Sequence, residues 1–320
     1  MLGRLGMSVD ECIRAYRKVA QQAFTPKRTS ILPVSPGGAF SAQALENVIK
    51  QIVGEFCTEV ECVARRRQGY PTIATCPHPN LAFRDQACTK TVVLAITKSN
   101  VDAGPTLFES FDTSAAFDGC TIWQVARATS AATTFFKPIK VGRDAIEFID
   151  AGFGYNNPCD ELVKEARRVF PGYRELQVLS IGTGLGDVVS IKDTRRSIIA
   201  ALRKMATSSK KAAKILDDRY GDSGQYFRFN VDRGLEDITL SDWEKASTIA
   251  AHTRNYLSEH SRSIKKFADV FTRGTPSAAT SGPGPTSSDR SRSHQTNLAQ
   301  SHASGHMTAT GDDHIDRCCR

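Results

Sequence analysis

The chain has 320 residues, 40% hydrophobic and 24% charged, which is ordinary globular usage and enough to bury a sizeable core. No run approaches the roughly 18 apolar residues of a membrane span, and the start, Met1 to Met7, holds no apolar stretch of signal-peptide length. The expectation is a cytoplasmic protein without a transmembrane segment, whose formal charge of +8 calls for an anionic partner or a solvated basic face.

Ser8 and Glu11 stand at capping-box spacing, and Val9, Cys12, Ile13, Tyr16 and Val19 repeat with helical period, so a first helix starts at Ser8. A second is predicted from Ser41, with Leu45, Val48, Ile49, Ile52, Val53 and Phe56 on one face. Between 58 and 85 the pattern dissolves into Arg65-Arg66-Arg67 and the turn-rich Cys76-Pro77-His78-Pro79-Asn80, which reads as a surface excursion.

Nine cysteines in a cytoplasmic chain predict free thiols rather than a disulfide framework. Cys57, Cys62, Cys76, Cys88 and His78 invite a zinc reading. Their spacing is C-x4-C, thirteen residues, then C-x-H, without the two tight pairs of a zinc ribbon or finger. On spacing, no structural metal is expected.

The apolar, β-branched run 91–97 reads as a strand buried on both faces. A helix over 122–132 follows, then a strand over 146–150, a helix opening at Pro158, and a strand over 176–181 that ends in Gly182-Thr183-Gly184. This alternation predicts an α/β fold with a mainly parallel sheet between helix layers. Downstream come a basic helix over 194–217, a strand over 226–231, a helix from a second capping box at Ser241 and Glu244, and a last helix over 261–271. From Gly274 apolar periodicity stops, so residues 1–273 are expected to form one domain and 274–320 a disordered tail.

The basic excess is densest over residues 192–214, where Arg195, Arg196, Arg203, Lys204, Lys210 and Lys211 meet one acid, Asp193. Two readings stand: a solvated helix face, or a surface that meets anionic lipid head groups at the membrane periphery. No motif or aromatic-interleaved stripe points to nucleic acid.

Asp150 closes a strand and is followed by Ala151-Gly152-Phe153-Gly154-Tyr155-Asn156-Asn157-Pro158. A carboxylate at a strand's carboxyl edge can face a reacting neighbour, or can merely cap its own turn. Three further blocks accompany it: Trp123-x-x-x-Arg127-Ala128-Thr129-Ser130-Ala131-Ala132, Leu179-Ser180-Ile181-Gly182-Thr183-Gly184, and the opening Leu2-Gly3-Arg4-Leu5-Gly6-Met7-Ser8. Together, in this order, they resemble the patatin-like phospholipases, with the closest likeness to fungal members.

The resemblance implies a patatin-like fold, incomplete at the N-terminus, and a lipid acyl hydrolase that cleaves glycerolipid esters through a serine–aspartate dyad. It makes Asp150 the catalytic aspartate and a lipid or phospholipid the substrate, with no metal or organic cofactor. Two departures stand out. Ala151 occupies a position where the family usually has glycine. No Gly-x-Ser-x-Gly elbow or glycine-rich oxyanion segment occurs in the 320 residues; by the resemblance the elbow belongs roughly ten residues before Met1. A catalytically inactive lipid-binding or interaction module is therefore the alternative. Cys120 and Cys159 are nucleophiles by type only, because neither has a histidine in a recognisable arrangement. Gly182-Thr183-Gly184-Leu185-Gly186 lacks phosphate-loop spacing and reads as a tight turn.

Overall fold

The structure, a computed structural model, describes residues 1–24, 39–69, 76–133, 135–173, 175–184, 209–235, 238 and 241–273. The predicted tail and most of the basic stretch lie outside these residues. The sheet and core described below belong to a unit spanning Met1–Val270.

Four helices come first: α1 (Leu2–Leu5), α2 (Val9–Ala23), α3 (Ala42–Glu55) and α4 (Val60–Arg67). Both predicted starts hold. The Ser8 side chain accepts from the Glu11 N–H while the Glu11 carboxylate accepts from the Ser8 N–H, and Ser41 accepts from the Ala44 N–H. The excursion reading of 58–85 needs correction, because α4 is helical and Cys62, Leu81 and Phe83 are buried. Its periodicity is short and interrupted, but these apolar side chains still reach the core.

Strands β1 (Val92–Thr97), β2 (Thr106–Glu109), β3 (Ile139–Val141) and β4 (Ile146–Asp150) form a sheet in the order β2-β1-β4-β3. Every pairing in it is antiparallel, with Ala95 opposite Asp150 and Val93 opposite Phe108. The α/β class is as expected, but the mainly parallel sheet is not. The segments 98–105 and 142–145 are hairpin reversals, whereas parallel neighbours need a crossover of a dozen residues or more. The short strands β2 and β3, unread in the sequence, turn the chain twice more, so β4 arrives antiparallel to β1. Parallel pairing does occur between β5 (Val178–Ile181) and β6 (Tyr226–Phe229).

Helix α5 (Ile122–Thr129) packs on the sheet beside α3, and Val48, Val53, Val125, Val141 and Phe148 fill the space between them. Strand alternation gives β1 and β4 a second apolar face, where Ile96, Ile149 and Ala151 meet Leu94 and Tyr155. The predicted burial of β1 on both faces holds at Ala95 and Ile96, while Val92, Val93, Leu94 and Thr97 are half-buried. The turn α6 (Gly152–Tyr155) leads to α7 (Cys159–Val169), and a helix over 209–220 (α8) precedes β6. Pro158 caps α7 rather than opening its first turn. The box predicted at Ser241 and Glu244 gives way to a 3₁₀ turn, Trp243–Lys245, without a side-chain cap, followed by α9 (Ala246–Glu259) and α10 (Ser261–Arg273). No described helix is long and apolar enough to cross a membrane.

Candidate functional site

Asp150 ends β4, and its backbone N–H donates to the Ala131 carbonyl at 3.2 Å, just beyond α5. Two of the sequence blocks thus meet at this residue. One carboxylate oxygen, Oδ1, accepts from the Gly152 N–H at 2.7 Å. That bond is the turn-capping contact, and it occupies one of two oxygens. Burial pushes the carboxyl up to about 6, against which the single Gly152 bond pulls only weakly. Ala151 is accommodated without strain: its φ is −70° and its ψ −11°, which any residue can adopt.

The third block joins through Asn157. Its buried Oδ1 lies 3.4 Å from both the Cys159 backbone N–H and the Ser180 hydroxyl, each of which donates to it. Arg228 donates to the Ser180 hydroxyl at 2.6 Å and to the Ser209 hydroxyl at 2.9 Å, tying the acid turn to β5, β6 and α8. Beyond β5, Gly184 has φ +75° and donates its N–H to Asn230 Oδ1; residues 185 and 186 of the predicted turn lie outside the described residues.

The opening block is anchored by Arg4, a residue the sequence does not single out. Arg4 is buried and donates to the Phe83 carbonyl at 2.8 Å, the Ala82 carbonyl at 2.7 Å and the Thr58 hydroxyl at 3.3 Å, and it pairs with Asp85 at 3.1 Å. A Cβ on Gly3 would run into Thr91 Oγ1, so glycine is what lets α1 lie against the start of β1. In α5, Arg127 is buried, donates to the Lys137 carbonyl at 2.9 Å, and has its pKa lowered by burial. Trp123 donates to Asn80 Oδ1 at 2.9 Å with Lys50 over its ring. A capping box at Thr121 and Gln124 starts this helix. The signal was present as Thr-x-x-Gln.

The patatin-like phospholipase family model matches residues 2–163, about half of the chain and the part that holds Asp150. The chain belongs to this family. Its mixed α/β architecture follows at that level. The chain is 27% identical over 296 residues to rat calcium-independent phospholipase A2-gamma, covering 85% of this chain and 34% of the rat protein; the human counterpart is 25% identical over 293 residues with the same shares. It is 38% identical over 73 residues to probable inactive patatin-like protein 9 of Arabidopsis thaliana, covering 20% of this chain and 19% of that protein. The chain thus spans about a third of the length of the phospholipases it matches.

Two cysteines considered as stand-in nucleophiles are buried, and burial raises the Cys120 thiol further from ionisation. The cysteine–histidine group is another matter. Cys57 follows α3, Cys62 lies in the first half of α4, and Cys76 and His78 sit in the segment leading to Leu81. The fold brings all four together, with Cys57 and Cys62 sulfurs each 3.6 Å from His78 Nδ1, Cys76 3.8 Å from it, and Cys62 3.7 Å from Cys76. Cys88 is not part of this group; its sulfur faces the Asp85 and Thr89 carbonyls and the Ser110 hydroxyl.

Proposed function

We propose that the chain contributes the aspartate of a serine–aspartate dyad to a phospholipid-cleaving acyl hydrolase, with Asp150 as the base. The observation that carries this is a strand-end carboxylate with one oxygen tied to its own turn and a pKa lifted by burial to about 6. Such a group is mostly ionised at neutral pH yet a stronger base than an exposed aspartate, which suits proton removal from a hydroxyl. In the reaction the serine oxygen bonds to the ester carbonyl carbon as its proton passes to Asp150. The carbon–oxygen bond to the glycerol moiety then breaks and the proton leaves with that alcohol. Water, deprotonated by the same carboxylate, releases the fatty acid from the acyl-serine. The likeness to calcium-independent phospholipases A2 supports a phospholipid as substrate. Basic residues 192–214 would meet the anionic lipid surface.

The test compares the 320-residue chain with the product of its reading frame extended upstream of Met1, using phospholipid vesicles and a short-chain ester. Hydrolysis is expected where the product carries a Gly-x-Ser-x-Gly elbow, and Asp150→Asn should reduce turnover on the order of 10³-fold by analogy with other dyads and triads. Full turnover in Asp150→Asn would end the assignment.

A second reading, an inactive lipid-binding or interaction module, is favoured by the lack of a Gly-x-Ser-x-Gly run in these 320 residues and by the likeness to a plant protein named as probably inactive. Vesicle binding without fatty-acid release from the extended product would support it.

A further inference from the structure

We propose that Cys57, Cys62, Cys76 and His78 form a tetrahedral site for a zinc-type divalent cation. The four donor atoms lie within 4.8 Å of one another. Zinc bonds of about 2.3 Å to sulfur and about 2.0–2.1 Å to nitrogen, at tetrahedral angles, require roughly 3.8 Å between sulfurs and roughly 3.6 Å from sulfur to nitrogen. The Cys62–Cys76 separation of 3.7 Å and the sulfur–nitrogen separations of 3.6, 3.6 and 3.8 Å meet those requirements. Thiolates with one imidazole suit zinc over calcium or magnesium, which prefer oxygen donors.

The surroundings fit the same use. Cys57 and Cys62 are buried, which keeps water away from the site. The site would clamp three chain segments that no regular backbone pairing joins among the described residues: the residues after α3, the first half of α4 and residues 76–78. It would do so beside Thr58 and ahead of Ala82 and Phe83, the groups held by Arg4. Its role is thus to fix the flank on which the opening block rests. A closed four-ligand set leaves no open position for substrate.

The test uses the full chain, purified reduced without chelator, then stripped and reloaded with zinc or with cobalt(II) as a spectroscopic probe. One zinc per chain is expected, with the charge-transfer and visible bands of a tetrahedral thiolate–cobalt centre. Three thiols should be shielded from a thiol reagent until a chelator is added, and chelation should lower Tm. Cys62→Ser and His78→Ala should abolish binding, whereas Cys88→Ser should retain it. So should a double change of Cys318 and Cys319 to serine, the control for the cysteine pair near the chain's end. Lack of zinc uptake by the reduced protein, an octahedral cobalt spectrum, or zinc that survives Cys62→Ser would overturn the proposal. Should Cys62→Ser not fold, chelation of the unaltered chain decides: release of three further thiols to the reagent supports the site over the thiols that burial alone shields, and release of none refutes it.

Discussion

Asp150 sits where burial opposes its charge, so its contribution to stability carries a definite sign. Its carboxyl binds a proton more tightly folded, with a pKa of about 6, than at the ordinary value of 3.8. Between those values the native state holds more protons than the unfolded one, and stability therefore falls as pH rises through this window. Asp150→Asn keeps an acceptor for the Gly152 N–H and removes the charge. It should stabilise the fold at pH 7 by about 1–3 kcal/mol and bring little gain at pH 4; urea midpoints at the two pH values would check this. Such a gain would fit the catalytic role proposed for Asp150, since active-site groups are often held at a cost to stability. Arg4 has the opposite character, since its donors are spent on two carbonyls, a hydroxyl and Asp85. Arg4→Met should destabilise by about 2–4 kcal/mol, because the acceptors it leaves are partly buried and lose a charged partner. Denaturant unfolding would measure the loss, and a change under about 1 kcal/mol would remove Arg4 from the anchoring role.

Helix α5 links the core to the acid turn. Val125 and Ala128 pack inward, and the segment after its end offers the Ala131 carbonyl to the Asp150 N–H. Its start depends on Thr121, whose side chain accepts from the Gln124 N–H. Thr121→Ala should lower stability by about 1 kcal/mol through the lost cap, seen as a shifted denaturant midpoint with an unchanged m value. Helix starts were legible because a capping box is local: two side chains and two backbone N–H groups within one turn. Strand direction was not. The runs at 92–97 and 146–150 announce buried strands, but an apolar pattern reads the same in either direction. Their antiparallel pairing depends on β2 and β3, which are four and three residues long and too short to show a period.

For the chain as a body, we propose one domain over residues 1–273 and a disordered tail over 274–320, on the grounds of the tail's Gly, Pro, Ser, Thr and His composition. Limited proteolysis should trim the protein to a resistant fragment ending near Arg273, with the same Tm as the full chain. Amide protection across 274–320 would contradict this. The match to the patatin-like phospholipase family over residues 2–163 covers the sheet, α5 and the acid turn. The Asn157, Ser180 and Arg228 network then carries the connection into β5, β6 and α8.

What could be read from residues alone was whatever depends on neighbours in sequence: the caps at Ser8 and Ser41, the strands at 92–97 and 146–150, and the ordered blocks that pointed to the family. Two things required the folded chain. One is the pKa of Asp150, which follows from the burial of a single carboxylate rather than from any motif. The other is the meeting of Cys57, Cys62, Cys76 and His78. Spacing argued against that group because metal motifs read in sequence rely on paired ligands on one turn or hairpin. Here the residue after α3, a residue of α4 and the 76–78 segment bring these side chains together, and only their packing sets the distances.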